Sequence, residues 1–265
     1  MKRTVVARNL AKLGLLSFLV LTTTVARASE VRVMISGGLT AAYKELVPQF
    51  ERTTGDTVVT AYGPSMGATE NAIPVRLARG EAADVLIMVG DALGLMIEQG
   101  RADPASRVDL VRSPIGMVVR AGAPKPDIST PDALKKTLLS AKSVAYSDSA
   151  SGVYVGTELF KRLGVADEMK DKAKMIPAEP VAGVVARGEA ELGFQQISEL
   201  LPIPGADLVG PLPAEVQKIT IFSAGTTTNA KQSDAGKALI AFLASSAAAP
   251  ILTKAGLEPI APSGK

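Results

Sequence analysis

The sequence predicts an α/β protein of two lobes with a cleft between them, each lobe a mainly parallel sheet flanked by helices. Three observations carry this. Short apolar runs of strand length alternate with segments of helical apolar spacing along most of the chain. The string ARGEA occurs twice, at 78–82 and 186–190, each time between a helical segment and an apolar run. One long apolar strand at 113–122 leaves the first alternating set and another at 218–226 returns after the second, so the second set reads as inserted into the first.

Residues 1–28 stand apart from that alternation. Lys2, Arg3, Arg8 and Lys12 precede an apolar run, LGLLSFLVLTTTV, which ends at Ala26-Arg27-Ala28. A basic start, a short apolar stretch and an A-x-A site predict a secretory signal peptide cut after Ala28, and with it a periplasmic location. The run is well short of the ~20 residues that span a bilayer.

The elements follow in order. VRVMISGG (31–38) reads as a strand ending in glycines. Residues 39–55 place Leu39, Tyr43, Leu46, Val47 and Phe50 on one helical face, with Pro48 expected to kink or shorten the helix and Gly55 to stop it. Strands are expected at 56–63 and 82–89, a turn followed by a helix with an internal Pro74 within 64–80, and a helix at 90–100. In the second set, Thr130 caps a helix over 130–140 with Pro131 in its first turn. Strands follow at 143–149, around AKMI and at 191–197, with helices at 151–165 and 181–188. Residues 234–256 read as helical. Both ARGEA copies are read as helix stops, because glycine alone takes the left-handed conformation without penalty. The organisation expected is a signal peptide at 1–28, one lobe from 29–112 plus 224–265, and a second lobe from 113–223.

Charge and composition narrow the chemistry. The whole chain carries a net +3, but residues 1–28 hold five basic and no acidic residues. The remainder has 24 Lys and Arg against 26 Asp and Glu, a net of −2, so the basic excess belongs to the leader and no nucleic-acid partner is expected. There is no His and no Cys. Ser-His-Asp and Cys-His nucleophiles, disulfides and His-bearing zinc sites are therefore excluded. No Ser-x-x-Lys pattern occurs either. The chain is expected not to be an enzyme, with no catalytic residue, no metal and no cofactor. A buried acidic pair in the cleft would reopen that question.

Ligands of open α/β sheets sit beyond the carboxyl ends of strands. Four loops there are rich in Gly, Ser or amides: Ser36–Thr40, Gly63–Gly67, Ser147–Gly152 and Phe194–Ser198. The first three precede helices, whose free N–H groups and neighbouring hydroxyls suit an anion.

Four segments, SGGLTAAYKELVPQFERTTGDTVVTAYGPSMGA, GEAADVLIMVGDA, SDSASGVYVGTELFKRLGV and VARGEAELGFQQ, resemble the molybdate-binding periplasmic proteins of ABC transporters, and the likeness extends over essentially all of 31–260. It implies a type II periplasmic binding-protein fold, capture of a tetrahedral oxyanion between the closing lobes, and delivery to an inner-membrane ABC permease; with no cysteine for lipid attachment, a freely diffusing monomer is expected. It also implies an anion held by serine hydroxyls, backbone amides and a tyrosine, without formal charges. Carried over, the family's first serine falls on Gly38, with Ser36 two positions away and Gly37 between. Its second falls on Ser65, beside Met66. Its backbone positions fall on Val89 and Ser149, the latter with Ser151 and Tyr154 nearby. Its tyrosine falls on Gln196, next to Gln195. Gly38 is expected to make room, and Gln196 to suit a ligand with hydroxyl or carboxylate groups. Arg112 is a candidate carboxylate contact. The ligand expected is a molybdate-like oxyanion or a small carboxylate. A periplasmic sensor feeding a membrane receptor, and less so an exported enzyme, remain alternatives.

Overall fold

The computed structural model describes residues 28–261. The expected signal peptide lies outside these residues apart from Ala28. β1 (Glu30–Ile35) runs through a single 3-10 turn into α1 (Thr40–Thr54), and β2 (Thr57–Tyr62), α2 (Ile73–Ala78), β3 (Val85–Val89) and α3 (Gly90–Glu98) complete the first set. Only Pro114 separates β4 (Val108–Ser113) from β5 (Ile115–Arg120). The second set is α4 (Pro131–Ser140), β6 (Val144–Ser147), α5 (Ala150–Tyr154), a π-helical turn, α6 (Phe160–Arg162), α7 (Ala166–Met169), β7 (Ala173–Ile176), α8 (Val181–Ala186), β8 (Leu192–Gln196), α9 (Ile197–Leu200) and β9 (Ala206–Pro211). β10 (Thr220–Thr226), α10 (Ser233–Leu243), α11 (Ala249–Lys254) and β11 (Glu258–Pro259) end the described chain.

The strands form two sheets, ordered β11-β4-β10-β3-β1-β2 and β7-β6-β8-β5-β9. Each has a parallel part, β2-β1-β3 in one and β7-β6-β8 in the other, and gains antiparallel strands where the chain crosses between them. β10 lies antiparallel between β3 and β4, and β5 lies antiparallel between β8 and β9. This is the expected two-lobed α/β architecture. The sequence reading missed β4 and β9, whose residues are only partly buried in places and carry no continuous apolar run.

Both faces of both sheets are covered, as runs such as VLIMV require. In the first sheet Val33, Ile35 and Ile87 face Leu46, Phe50 and Leu239, while Met34, Leu86 and Met88 face Leu93 and Met96. In the second, Met117 and Phe194 pack on Leu138 and Leu159, while Val118 and Ala145 pack on Val181 and Val185. α1 runs without interruption through Pro48, contrary to the shortening expected. Pro74 lies in the first turn of α2, where its missing N–H costs nothing. The long helix expected over 234–256 is broken into α10 and α11.

The crossing is tied by one side chain. Gln196, at the end of β8, turns its amide nitrogen to the Ser113 and Pro114 carbonyls at 2.9 and 3.2 Å, and its oxygen accepts from Thr220 Oγ1 at 2.8 Å. It thereby joins the outgoing and returning strands.

The two ARGEA copies form the same helix stop. Gly80 and Gly188 have φ of +81° and +78°. In the first copy Gly80 N donates to the Leu77 carbonyl and Glu81 N to that of Arg76; in the second, Gly188 N donates to Val185 and Glu189 N to Val184. This is the Schellman pattern. A Cβ at position 80 would meet nothing within 4 Å, so Gly80→Ala isolates backbone strain from packing. Its expected cost is about 1–2 kcal/mol, read as a fall in Tm of roughly 2–8 °C. An unchanged Tm would refute the role given to this glycine.

Candidate functional site

A cleft of about 620 Å³ opens where the strand ends of both sheets face one another. Its walls come from the first loop (Ser36, Gly37, Gly38), α1 (Lys44), the end of β2 and its loop (Tyr62, Ser65, Met66), Val89, the β6–α5 loop (Asp148, Ser149), the β7–α8 loop (Ala178, Glu179) and the end of β8 with α9 (Gln195, Gln196, Ser198, Glu199). The four loops singled out in the sequence all contribute.

On the first lobe, hydroxyls form a chain. Ser65 Oγ donates to Ser36 Oγ at 2.7 Å and accepts from Val89 N at 2.9 Å. The Ser36 hydroxyl hydrogen is therefore left to face elsewhere, and the Val89 amide is already used. On the second lobe, Ser147, Ser149 and Ser151 form a hydroxyl cluster with separations of 2.8–3.2 Å. Ser149 borders the cleft, while buried Ser151 supports it from behind. Glycine is required at 152, where a Cβ would run into the Ser147 backbone.

Several expected site residues lie elsewhere or do something else. Tyr154 does not border the cleft: its hydroxyl donates to the Val216 carbonyl at 2.7 Å and accepts from Arg162 at 3.0 Å, inside the second lobe's core. Arg112 is on an exposed face of β4, paired with Glu258 at 3.1 Å. Gly38 does not make room for ligand, because the Phe222 ring fills that space and a Cβ would come within 2.3 Å of it. Gln196 borders the cleft, but its amide is engaged in the crossing.

The sequence reading missed Glu199, one residue beyond the fourth loop. It stands in the first turn of α9, and its carboxylate lies against Gly37 of the opposite lobe, where a Cβ would overlap Oε1. Burial lifts its pKa to about 7. The Gln195 amide opposes that by offering a hydrogen bond, and the negative charge of Asp148 adds to it. Gln195 is itself held, its oxygen accepting from Val181 N at 3.0 Å, which fixes which end of the amide faces Glu199. Asp148 accepts from Ala178 N at 3.1 Å. Ala178 takes φ of +59°, a left-handed conformation unusual for a residue with a side chain, at the edge of the cleft. Next to Glu199, the buried Ser198 hydroxyl has no hydrogen-bond partner among the described residues. A carboxyl poised near neutral pH is fitted to give or take a proton. The cleft thus sets one poorly solvated acid, Glu199, near an exposed one, Asp148, rather than holding a fully buried pair.

Comparison with known proteins agrees with the fold and revises the chemistry. The Azotobacter vinelandii periplasmic molybdate-binding protein superposes with a TM-score of 0.67 at 21% identity, over 88% of this chain and 100% of that one. The molybdate-binding protein ModA of Azotobacter vinelandii is 26% identical over 227 residues, 82% of this chain and 85% of its own. A protein named aconitate isomerase, from a Pseudomonas species, is 50% identical over 232 residues, 88% of each chain. That likeness to an enzyme overturns the expectation that the chain is not one. The model of the family described as bacterial extracellular solute-binding protein matches residues 31–258, and this chain is a member of that family.

Proposed function

We propose that this protein is an exported isomerase of a small unsaturated tricarboxylate of the aconitate type, with Glu199 as the group that takes and returns the proton. The observation that carries this is the Glu199 carboxyl, held at a pKa of about 7 within an anion-suited cleft. The 50% identity to a protein named aconitate isomerase supplies the substrate class. The cleft volume of about 620 Å³ suits a small organic ligand.

The chemistry needs no cofactor. Aconitate carries a CH₂ between a carboxylate and a carbon–carbon double bond. Removing one of its protons leaves an electron pair spread over three carbons. Returning the proton to the far carbon shifts the double bond by one position, and the relabelled molecule has the other geometry about it. One C–H bond breaks and one forms, the carboxyl regains its starting state, and nothing is oxidised. Glu199 in its carboxylate form takes the proton. Ser36, Ser149 and the N–H groups of their loops hold a substrate carboxylate, and the Gln195 amide orients Glu199. Asp148 acts through Glu199, keeping its proton affinity high.

A second reading is a carrier that passes a small anion to an ABC permease in the inner membrane of a periplasm-bearing cell. The serine-lined loops and the family membership favour it. The two readings differ in one readout: a carrier binds and releases its ligand unchanged.

Proton NMR of cis-aconitate in D₂O with purified protein should record the trans isomer appearing together with deuterium at carbon. Saturable binding without either change would reject the isomerase reading in favour of the carrier. Glu199→Gln should lower kcat by about 10²–10⁴-fold with a much smaller change in KM. Because only the carboxylate accepts the proton, kcat/KM should rise with pH through about 7 and then level off.

The same group should affect stability. Its folded pKa of about 7 exceeds the ordinary 4.5, so the folded protein holds the proton more tightly between these values. Stability from this group is present at low pH and is lost as pH rises toward 7. Glu199→Gln should therefore raise Tm over the parent at pH 8 and match it near pH 4. A Tm advantage of the same size at both pH values would count against a raised pKa.

A further inference from the structure

We propose that Lys44 is a carboxylate-reading residue, which makes the cleft select ligands bearing several carboxylates over single oxyanions. This rests on the tricarboxylate reading above and names the residue that enforces it. Lys44 is on α1, one turn after Thr40, and lines the cleft. It is the sole Lys or Arg among the cleft-lining residues, against three acids, Asp148, Glu179 and Glu199. It makes no salt bridge among the described residues. Its ammonium instead sits 5.1 Å from the centroid of the Tyr62 ring, which also lines the cleft.

The charge balance makes this placement consequential. A ligand with three carboxylates enters a cleft already walled by acids. Glu179 is neutralised from outside by Arg187 at 3.1 Å, and Asp148 is occupied with the Ala178 amide. The serine hydroxyls supply geometry for one anionic head and no net charge. Lys44 supplies the missing charge on a flexible stem that can follow a second carboxylate. The Tyr62 face holds the ammonium by cation–π attraction without neutralising it.

The test uses the non-isomerisable propane-1,2,3-tricarboxylate in calorimetric titrations of the parent, Lys44→Met and Lys44→Arg, with aconitate kinetics on the same three proteins. Lys44 is exposed and its one side-chain partner is the face of Tyr62, a weak surface contact, so both variants should keep a Tm close to the parent's. Lys44→Met should weaken the tricarboxylate at least tenfold, raise KM for aconitate more than it lowers kcat, and flatten the loss of affinity with added salt. Lys44→Arg should retain most of the affinity. If the parent binds and isomerises but Lys44→Met has the parent's Kd and salt dependence, the assignment of Lys44 is wrong and the isomerase reading stands. If the parent neither binds the tricarboxylate nor isomerises aconitate, the reading falls and the assignment falls with it.

Discussion

A carboxyl group placed where water solvates it poorly is the constraint around which this cleft is arranged. Glu199 reaches from the second lobe to the Gly37 backbone of the first, and that closeness is possible only because position 37 has no Cβ. Burial raises the energy of its charged form, and Asp148 adds repulsion of the same sign. The Gln195 amide offsets part of the penalty. Asp148 is kept in place by the Ala178 amide, on a backbone strained into the left-handed region. A group buried in this way lowers stability at neutral pH. Such a cost is retained where the perturbed proton affinity is used.

The scaffold explains how that carboxyl can meet a ligand. The chain leaves the first sheet at Ser113 and enters the second at Ile115, then returns into the first at Thr220. Gln196 spans both crossings, and Glu199 follows three residues later on a single turn of helix. Glu199 is therefore set beside the crossing, while the serine loops lie on both sides of the opening. A fold suited to closing around an anion needs only one well-placed carboxyl to act on what it encloses. Neither His nor Cys is required, which reconciles the composition with an enzyme.

What the sequence disclosed was mainly local. The parallel strands, the glycine stops of both ARGEA copies and the Thr130 cap depend on residues a few positions apart, and the structure has each of them. The serine loops were legible for the same reason. β4 and β9 escaped because VDLVRS and ADLVGP are only partly apolar and gain strand character from distant partners. Glu199 carries no local mark; its perturbation comes from residues 37, 148 and 195, brought together only by folding. Arg112 was misread because Glu258, its partner, is 146 positions away. Gly38 was taken as open space, yet the ring that fills it comes from Phe222 on the returning strand. Tyr154, expected beside Ser149 at the cleft, instead spends its hydroxyl on the Val216 carbonyl and Arg162 inside the second lobe's core.

The most direct measurement is a carbon-13 NMR titration of the glutamate carboxyls in the parent and in Glu199→Gln, with and without propane-1,2,3-tricarboxylate. The account requires one carboxyl with a midpoint near pH 7, absent from the variant and displaced when the ligand binds. A Glu199 resonance titrating in the ordinary carboxylate range and indifferent to the ligand would contradict it.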